Sequence, residues 1–544
     1  MGSKSNLIFH HGKIYTADAG RTIANAVAVK DGTIVAVGSN DTVMAMADDQ
    51  TETIDLAGRL MIPGLNDSHA HPFMEASQVN AVSFSEARNI SDLLDALRAK
   101  AKNVQPGEWI LGSMSWHETQ LAEGRLPTRE ELDRACPDNP VSIPRGAHVK
   151  VANSRALAIA GIDADTKIAG GVVDLDASGR PSGMLMDAAA DRLTASEPKA
   201  DRSKFGEAVI AVAKKLNSYG VTTTAESGAI GAGAETSEFN LRTVKELCNE
   251  KKLPLRFSSS FFSTSYEMAA HGIAAFGDSK NTDFFKFQGI KVMSDGGVES
   301  ANLIEPYEII PDVQPDPDYH GIEVWPTARQ DELRRIMNLC AGSRLQLQIH
   351  IHGDNSARAM IPLLAEQSQT TDIGKLNWTI CHLPLATEEE LETIRKLGIC
   401  VTVQHQPYLL GENYLRYWGN ARANAMACYR KMIDMGIRMG GGTDMPIDPL
   451  NPFCSIEWMV DRTTITGKVL GKEHAISLEE AVDLWTRGSA DCEGWGGMIG
   501  LIEPGKKADF AVLSQDIFTI PVREIHNTVA EETWLDGKCV YRRS

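Results

Sequence analysis

Through the middle of the chain, short apolar runs of β type alternate with amphipathic segments of helical period. That is the pattern of a parallel α/β barrel. Eight runs read as strands: residues 60–63, 220–225, 255–261, 285–293, 345–351, 376–381, 399–404 and 437–441. Helical segments fall between most of them, for example 207–219, 388–397 and 421–435. A further helix over 478–492 follows the eighth strand, with Ser477 placed to cap it.

The two ends are patterned differently. Residues 27–38 carry two apolar runs about Asp31-Gly32, and residues 532–541 repeat the device about Asp536-Gly537. Asp-Gly suits the positive φ angles of a tight hairpin turn. With a short strand over 508–513, these ends predict one small β-sandwich domain made from both termini, residues 1–62 and 496–544, around a barrel over 63–495. Between the first two strands lies a stretch too long for one helix, about 73–201, which reads as an inserted subdomain over the barrel mouth. Its punctuation by Pro127, Pro137, Gly170 and Gly179 predicts irregular, loop-rich structure. The fold class expected is therefore α/β, a (β/α)8 TIM-like barrel with a terminal β-sandwich and an insertion after strand 1.

Charge narrows the partners. The 54 Lys plus Arg against 72 Asp plus Glu leave −18 over 544 residues, which argues against nucleic acid or an anionic membrane. No run approaches the roughly 20 apolar residues of a membrane span. The first residues lack a secretory pattern, and Asn6 stands where a myristoylation signal wants Ser or Thr. Nine scattered cysteines, never as C-x-x-C, indicate neither a disulfide framework nor a thiolate zinc site. A cytoplasmic protein acting on a small molecule is the expectation.

The candidate chemistry sits at strand ends. His69 and His71 lie two apart just past the first strand, so in extended backbone both can face one metal. Lys291 and Asp295 end the fourth strand, His350 and His352 the fifth, His382 the sixth and Asp444 the eighth. Five of the 14 histidines thus stand at the predicted mouth, where barrel enzymes assemble their sites. On the residues alone, Lys291 reads either as a ligand type at a strand end or as a salt-bridge partner of Asp295.

These segments resemble the amidohydrolase superfamily, specifically its type-3 branch, which includes N-substituted formamide deformylases. The likeness is carried by residues 63–71, 290–296, 350–354, Cys381-His382, 441–446 and 502–510, with Asn153 and residues 109–112 and 179–187 in the insertion. It implies two divalent metal ions, expected to be Zn2+. His69 and His71 would bind the first ion and His350 and His382 the second. Lys291, carboxylated by carbon dioxide, would bridge them, and Asp444 would bind the first ion and move protons. A free lysine has a pKa of about 10.4 and repels metals, whereas burial beside cations favours the neutral amine that carbon dioxide can carboxylate. Spacing to the Gly-Asp pair selects His350 over His352, which remains the alternative ligand.

Substrate contacts are expected from His148, Trp116, His352, His405 and Tyr408, with His117, Tyr414 and Trp418 completing an aromatic wall and Glu226 reading as a structural carboxylate. The reaction implied is hydrolysis of a non-peptide carbon–nitrogen bond by metal-activated hydroxide, on a secondary amide or N-formyl amine with an apolar substituent. The alternatives are a mononuclear deaminase of the same superfamily, against which Asp354 stands where a shuttling glutamate belongs, and a non-catalytic regulatory or binding protein. Barrel enzymes of this kind are often dimers, so a homodimer is expected.

Overall fold

The computed structural model describes residues 5–146, 149–168, 171–198, 201–230, 233–309 and 318–544, apart from the side chain at 187. Eight parallel strands form one sheet in sequential order. We number them β1 (Leu65–Ala70), β2 (Val221–Glu226), β3 (Arg256–Phe262), β4 (Phe285–Met293), β5 (Gln346–Ile351), β6 (Thr379–His382), β7 (Cys400–Val403) and β8 (Arg438–Gly441). Beyond their ends, β8 meets β1 where Asp444 N donates to the His69 carbonyl (2.8 Å) and Ser68 Oγ to the Gly441 carbonyl (2.8 Å). This is the expected TIM-like barrel.

One strand differs from expectation. Residues 60–63 are not the first barrel strand; Leu60–Pro63 pairs antiparallel with Phe510–Leu513 in a six-stranded sheet drawn from both ends of the chain. Its continuous apolar run is buried between layers, whereas the true β1 reads polar because Asp67 and His69 turn toward Thr443 and Asp444 while Asn66 and Ser68, on the opposite face, donate to the Thr486 and Gly441 carbonyls. The other hairpin lies in a four-stranded sheet. Both turns take the expected left-handed pairs, Asp31 and Gly32 at φ 50° and 77°, Asp536 and Gly537 at 51° and 73°. Phe9 joins the two sheets, edge-on to Phe510 and Trp534 at 5.4 and 5.0 Å.

The insertion is more regular than its Pro and Gly content suggested. It holds a five-stranded sheet flanked by helices such as Ile90–Ala101 and Ser154–Ala160. Its glycines end elements rather than dissolve them: Gly161, at φ 62°, terminates the second of these helices.

The barrel helices follow their caps. Glu388–Leu397 starts on a reciprocal Thr387/Glu390 capping box and ends at left-handed Gly398. Ser477 caps Leu478–Asp483 in the same way with Glu480. The single helix expected over 421–435 is broken into Gly419–Ala425 and Tyr429–Asp434, where Ala427 turns to φ 55°.

Candidate metal centre

Strand β1 delivers His69 and, one step past its end, His71. Asp67 anchors this segment to β8 by accepting from Thr443 Oγ1 (2.6 Å) and Thr443 N (3.0 Å). Gly442 permits the contact, since a Cβ there would stand 2.8 Å from the backbone N and O of His69. Asp444 then turns back with φ 60°, and His382 leaves β6 with φ 74°. Left-handed conformations cost a non-glycine residue roughly 1–3 kcal/mol, which surrounding structure must hold in place. Both strained residues are candidate ligands.

Asp444 Oδ1 lies 3.2 Å from His69 Nε2 and 3.3 Å from His71 Nε2. Ligand atoms of His69, His382 and Asp444 all fall within 4.8 Å of one another, and all three residues are buried. Two ligands on one tetrahedral zinc stand about 3.3 Å apart, given metal–nitrogen bonds of roughly 2.0 Å. The donor set, two imidazoles and a carboxylate around one point, therefore fits a divalent cation. Gln406 Nε2 braces it, bonding His382 Nδ1 (3.0 Å) and Asp444 Oδ2 (2.8 Å). His71 Nδ1 is held by the Gly228 carbonyl (3.0 Å) beside Glu226 Oε1 (3.6 Å), and Glu226 Oε2 accepts from Phe73 N.

Burial and these neighbours set the charges. Burial alone would raise Asp444, but His69 and His71 outweigh it and hold the carboxyl well below its usual range. Burial likewise opposes a charged His71, yet Asp444 and Glu226 lift it to about 9. Burial, helped by nearby cationic groups, pushes His350 and His382 well below their ordinary value, leaving the neutral imidazole that binds metals.

A bulge in β4 aims Lys291. Ser259 and Ser260 of β3 pair with Phe287 and Gly289, so Gln288 is the extra residue. Gly289, at φ 152°, passes so close to the Gln346 carbonyl that no Cβ fits. The phase shift turns both Gln288 and Lys291 inward, where Gln288 Oε1 accepts from Gln348 (3.0 Å) and Lys291 Nζ donates to Cys381 Sγ (3.0 Å). Burial would raise that thiol, but Lys291 and His69 bring it down to about 6. Asp295 is not the lysine's partner; it accepts from the backbone N–H groups of Asn302, His352 and Gly353.

The remaining candidates separate. The His350 ring stands 4.4 Å from that of His382, while His352 lies 5.5 Å away and its Nε2 bonds Tyr414 OH at 2.6 Å. Tyr414 and Trp418 pack edge-on beside it at 4.7 Å. His405 is fully buried with Tyr408 against it at 6.2 Å. Trp116 instead belongs to the apolar core of the insertion, its indole N–H donating to the Pro144 carbonyl. His117 links the insertion to the mouth through Asn413 (3.2 Å). His148 lies outside the described residues. Sequence reasoning missed Cys381 as a lysine partner, although Cys381-His382 is one of the segments that carry the likeness, and it missed Gln406 as a brace and Asp448, which belong to no motif with ligand spacing.

Comparison with known proteins agrees with this architecture. The chain is 27% identical to the putative amidohydrolase YtcJ of Bacillus subtilis, covering 99% of each. It is 26% identical to the N-substituted formamide deformylase of Arthrobacter pascens, covering both fully. A solved metal-dependent hydrolase from Pyrococcus horikoshii, itself uncharacterized, superposes with a TM-score of 0.72 at 22% identity over 95% of this chain and 99% of that one. The family model described as "Amidohydrolase family" matches residues 52–541, and the chain belongs to that family.

Proposed function

We propose that this protein is a metal-dependent hydrolase that cleaves a non-peptide, amide-type carbon–nitrogen bond of a small molecule. The observation that carries this reading is the buried His69–His382–Asp444 cluster at the mouth of the barrel, in a chain of the amidohydrolase family. His69, His71 and Asp444 hold one divalent cation, with zinc suited to the nitrogen and oxygen donors. His350 and His382 hold a second. Lys291, buried with no carboxylate at ion-pair distance among the described residues, links them once carboxylated by carbon dioxide.

A divalent cation bound there lowers the pKa of water and polarises a carbonyl. The chain supplies the rest. Asp444 Oδ1 faces two imidazoles while Oδ2 meets only the Gln406 amide, so Oδ2 takes the proton of the attacking water and returns it to the leaving nitrogen. The Gly228 carbonyl fixes the ring orientation of His71, and Glu226 adds a negative charge beside that ring. His352, His405 and Tyr408 line the substrate side.

A second reading has one specific observation in its favour. The Lys291–Cys381 hydrogen bond occupies Nζ, which suits a single cation on His69, His71, His382 and Asp444. Asp354 does not complete a deaminase in that case, because its Oδ1 is committed to Ile304 N at 2.8 Å.

Elemental analysis and turnover decide. The expectation is about two metal ions per chain, with N-formyl or N-acetyl amines hydrolysed by the loaded protein, silent after chelation and restored by metal. A metal content of one supports the second reading. Loaded protein inert toward every amide and formamide overturns the hydrolytic one.

A further inference from the structure

Outside the barrel, His10, His11 and Asp55 form a group with no part in the chemistry above. Strand Leu7–His10 of the four-stranded terminal sheet pairs in parallel with Glu52–Asp55, the edge strand, and His10 stands opposite Asp55 in register. Neighbouring residues of an extended strand point to opposite faces. His10 and His11 nevertheless share one, because His11 turns to φ 51°. Its N–H donates to Asn40 Oδ1 (2.8 Å) and its carbonyl accepts from Gly58 N (2.7 Å), and these bonds hold the turn. The two rings meet edge-on with centroids 4.5 Å apart.

Three ligand atoms converge there. His10 Nδ1 lies 3.1 Å from His11 Nδ1, and His11 Nδ1 lies 3.3 Å from Asp55 Oδ2, with all three within 4.8 Å of one another. Ala57 N donates to Asp55 Oδ1 (2.8 Å), which leaves Oδ2 to the rings. The Nδ1 of a neutral imidazole carries either one hydrogen or one lone pair. With a hydrogen, His11 Nδ1 must serve two acceptors at once; with a lone pair, it faces the carboxylate with no donor between them. A single cation satisfies all three atoms. Ligands sharing one tetrahedral zinc stand about 3.3 Å apart, which matches both measured spacings, and two imidazoles with a carboxylate are donors that zinc accepts. The His11 and Asp55 side chains are 58% and 57% exposed, so an ion reaches them without opening the fold.

We propose that His10, His11 and Asp55 form a second metal site, which binds a divalent transition-metal ion of the zinc class and pins the edge strand of the terminal sheet to its neighbour. The edge strand has little else to hold it, since Ile54 is its one partly buried apolar side chain. The three ligand atoms come together only in the folded chain, so an ion bound to them stabilises that state.

The test titrates zinc by calorimetry into the full chain after its barrel centre has been loaded and loose metal removed. The wild type should take about one further ion per chain. His11→Asn keeps a residue that tolerates left-handed backbone, and Asp55→Asn keeps the acceptor for Ala57 N. Each should weaken this binding by at least the roughly 10- to 100-fold that loss of a mere supporting partner costs a metal site. Turnover and the metal of the barrel centre should match the wild type in both. Zinc should slow amide hydrogen exchange across Glu52–Asp55 in the wild type and in neither variant. A wild type that takes no further zinc overturns the proposal. Binding undiminished in either variant does so too, since it would mean an adventitious ion only. Binding that leaves exchange in the edge strand unchanged overturns the pinning. The zinc and exchange readouts need no amide to be hydrolysed, so the hydrolytic reading can fail without touching this one.

Discussion

Both ends of the barrel bury polar side chains, and they pair them differently. At the N-terminal end, Arg256 of β3 meets Asp509 of the terminal sheet in a two-pronged pair at 2.7 and 2.9 Å, both side chains buried, and a third bond runs from Arg256 to the Asp283 carbonyl. Every prong has a partner, and the pair ties the sheet to the barrel. At the C-terminal end, the candidate ligands His382 and Asp444 sit in left-handed backbone, and the side chains of Gln404, His405 and Asp448 have no hydrogen-bond partner among the described residues. Paired buried charge locates two parts of a fold relative to each other. Unpaired or strained buried polar groups mark where a function, a water or an ion can be looked for.

That contrast can be broken from either side. The largest effect is expected for Asp444→Asn, which should lower kcat/KM of the metal-loaded protein by about a thousandfold while the thermal midpoint stays near that of the wild type. Retained turnover would remove Asp444 from the chemistry.

Asp509→Ala should do the opposite. Taking away the carboxylate that holds two prongs of buried Arg256, with Asp536 Oδ1 left at 3.9 Å, is expected to cost about 3 kcal/mol in denaturant unfolding, with metal content per chain unchanged. Unaltered stability would mean the base pair holds nothing together.

Glu226→Gln should weaken metal affinity by about 10- to 100-fold, read by chelator competition, because it supports His71 rather than binding the ion.

A pH-dependent effect sharpens the picture of the base. Burial raises Glu493 from 4.5 to about 8, against the pull of Ser258 Oγ, which donates to it. Between those values the unfolded acid is ionised while the folded one keeps its proton. Its contribution to stability therefore falls as pH rises through that window and is level outside it. Glu493→Gln should remove a descent of up to about 1.4 kcal/mol per pH unit, seen as the difference between two denaturation series. Parallel series would show that Glu493 titrates normally.

Much of the barrel was legible because its strands and helices obey periodicities of two and 3.6; β4 begins and ends where its apolar run does. The first strand was not, since residues 65–70 place polar side chains on both faces, Asp67 and His69 on one and Asn66 and Ser68 on the other, and lose the apolar pattern, while the apolar run before them serves another sheet. Trp116 looked like a wall residue because an aromatic in a loop has no period to say which way it faces. Gln406 and Asp448 escaped notice for a related reason: an amide at the first turn of a helix and a carboxylate in a loop have meaning only by what stands across from them.

Strand ends rich in histidine, the Asp-Gly turns and the family motifs were settled by the order of amino acids alone, because each is a local pattern or an ordered set of them. Contact between His69, His382 and Asp444, the inward turn of Lys291 onto Cys381 and the isolation of Asp448 were decided only in three dimensions. They depend on a one-residue bulge, on two left-handed backbone positions and on which groups fail to meet, and no spacing along a chain records a missing neighbour.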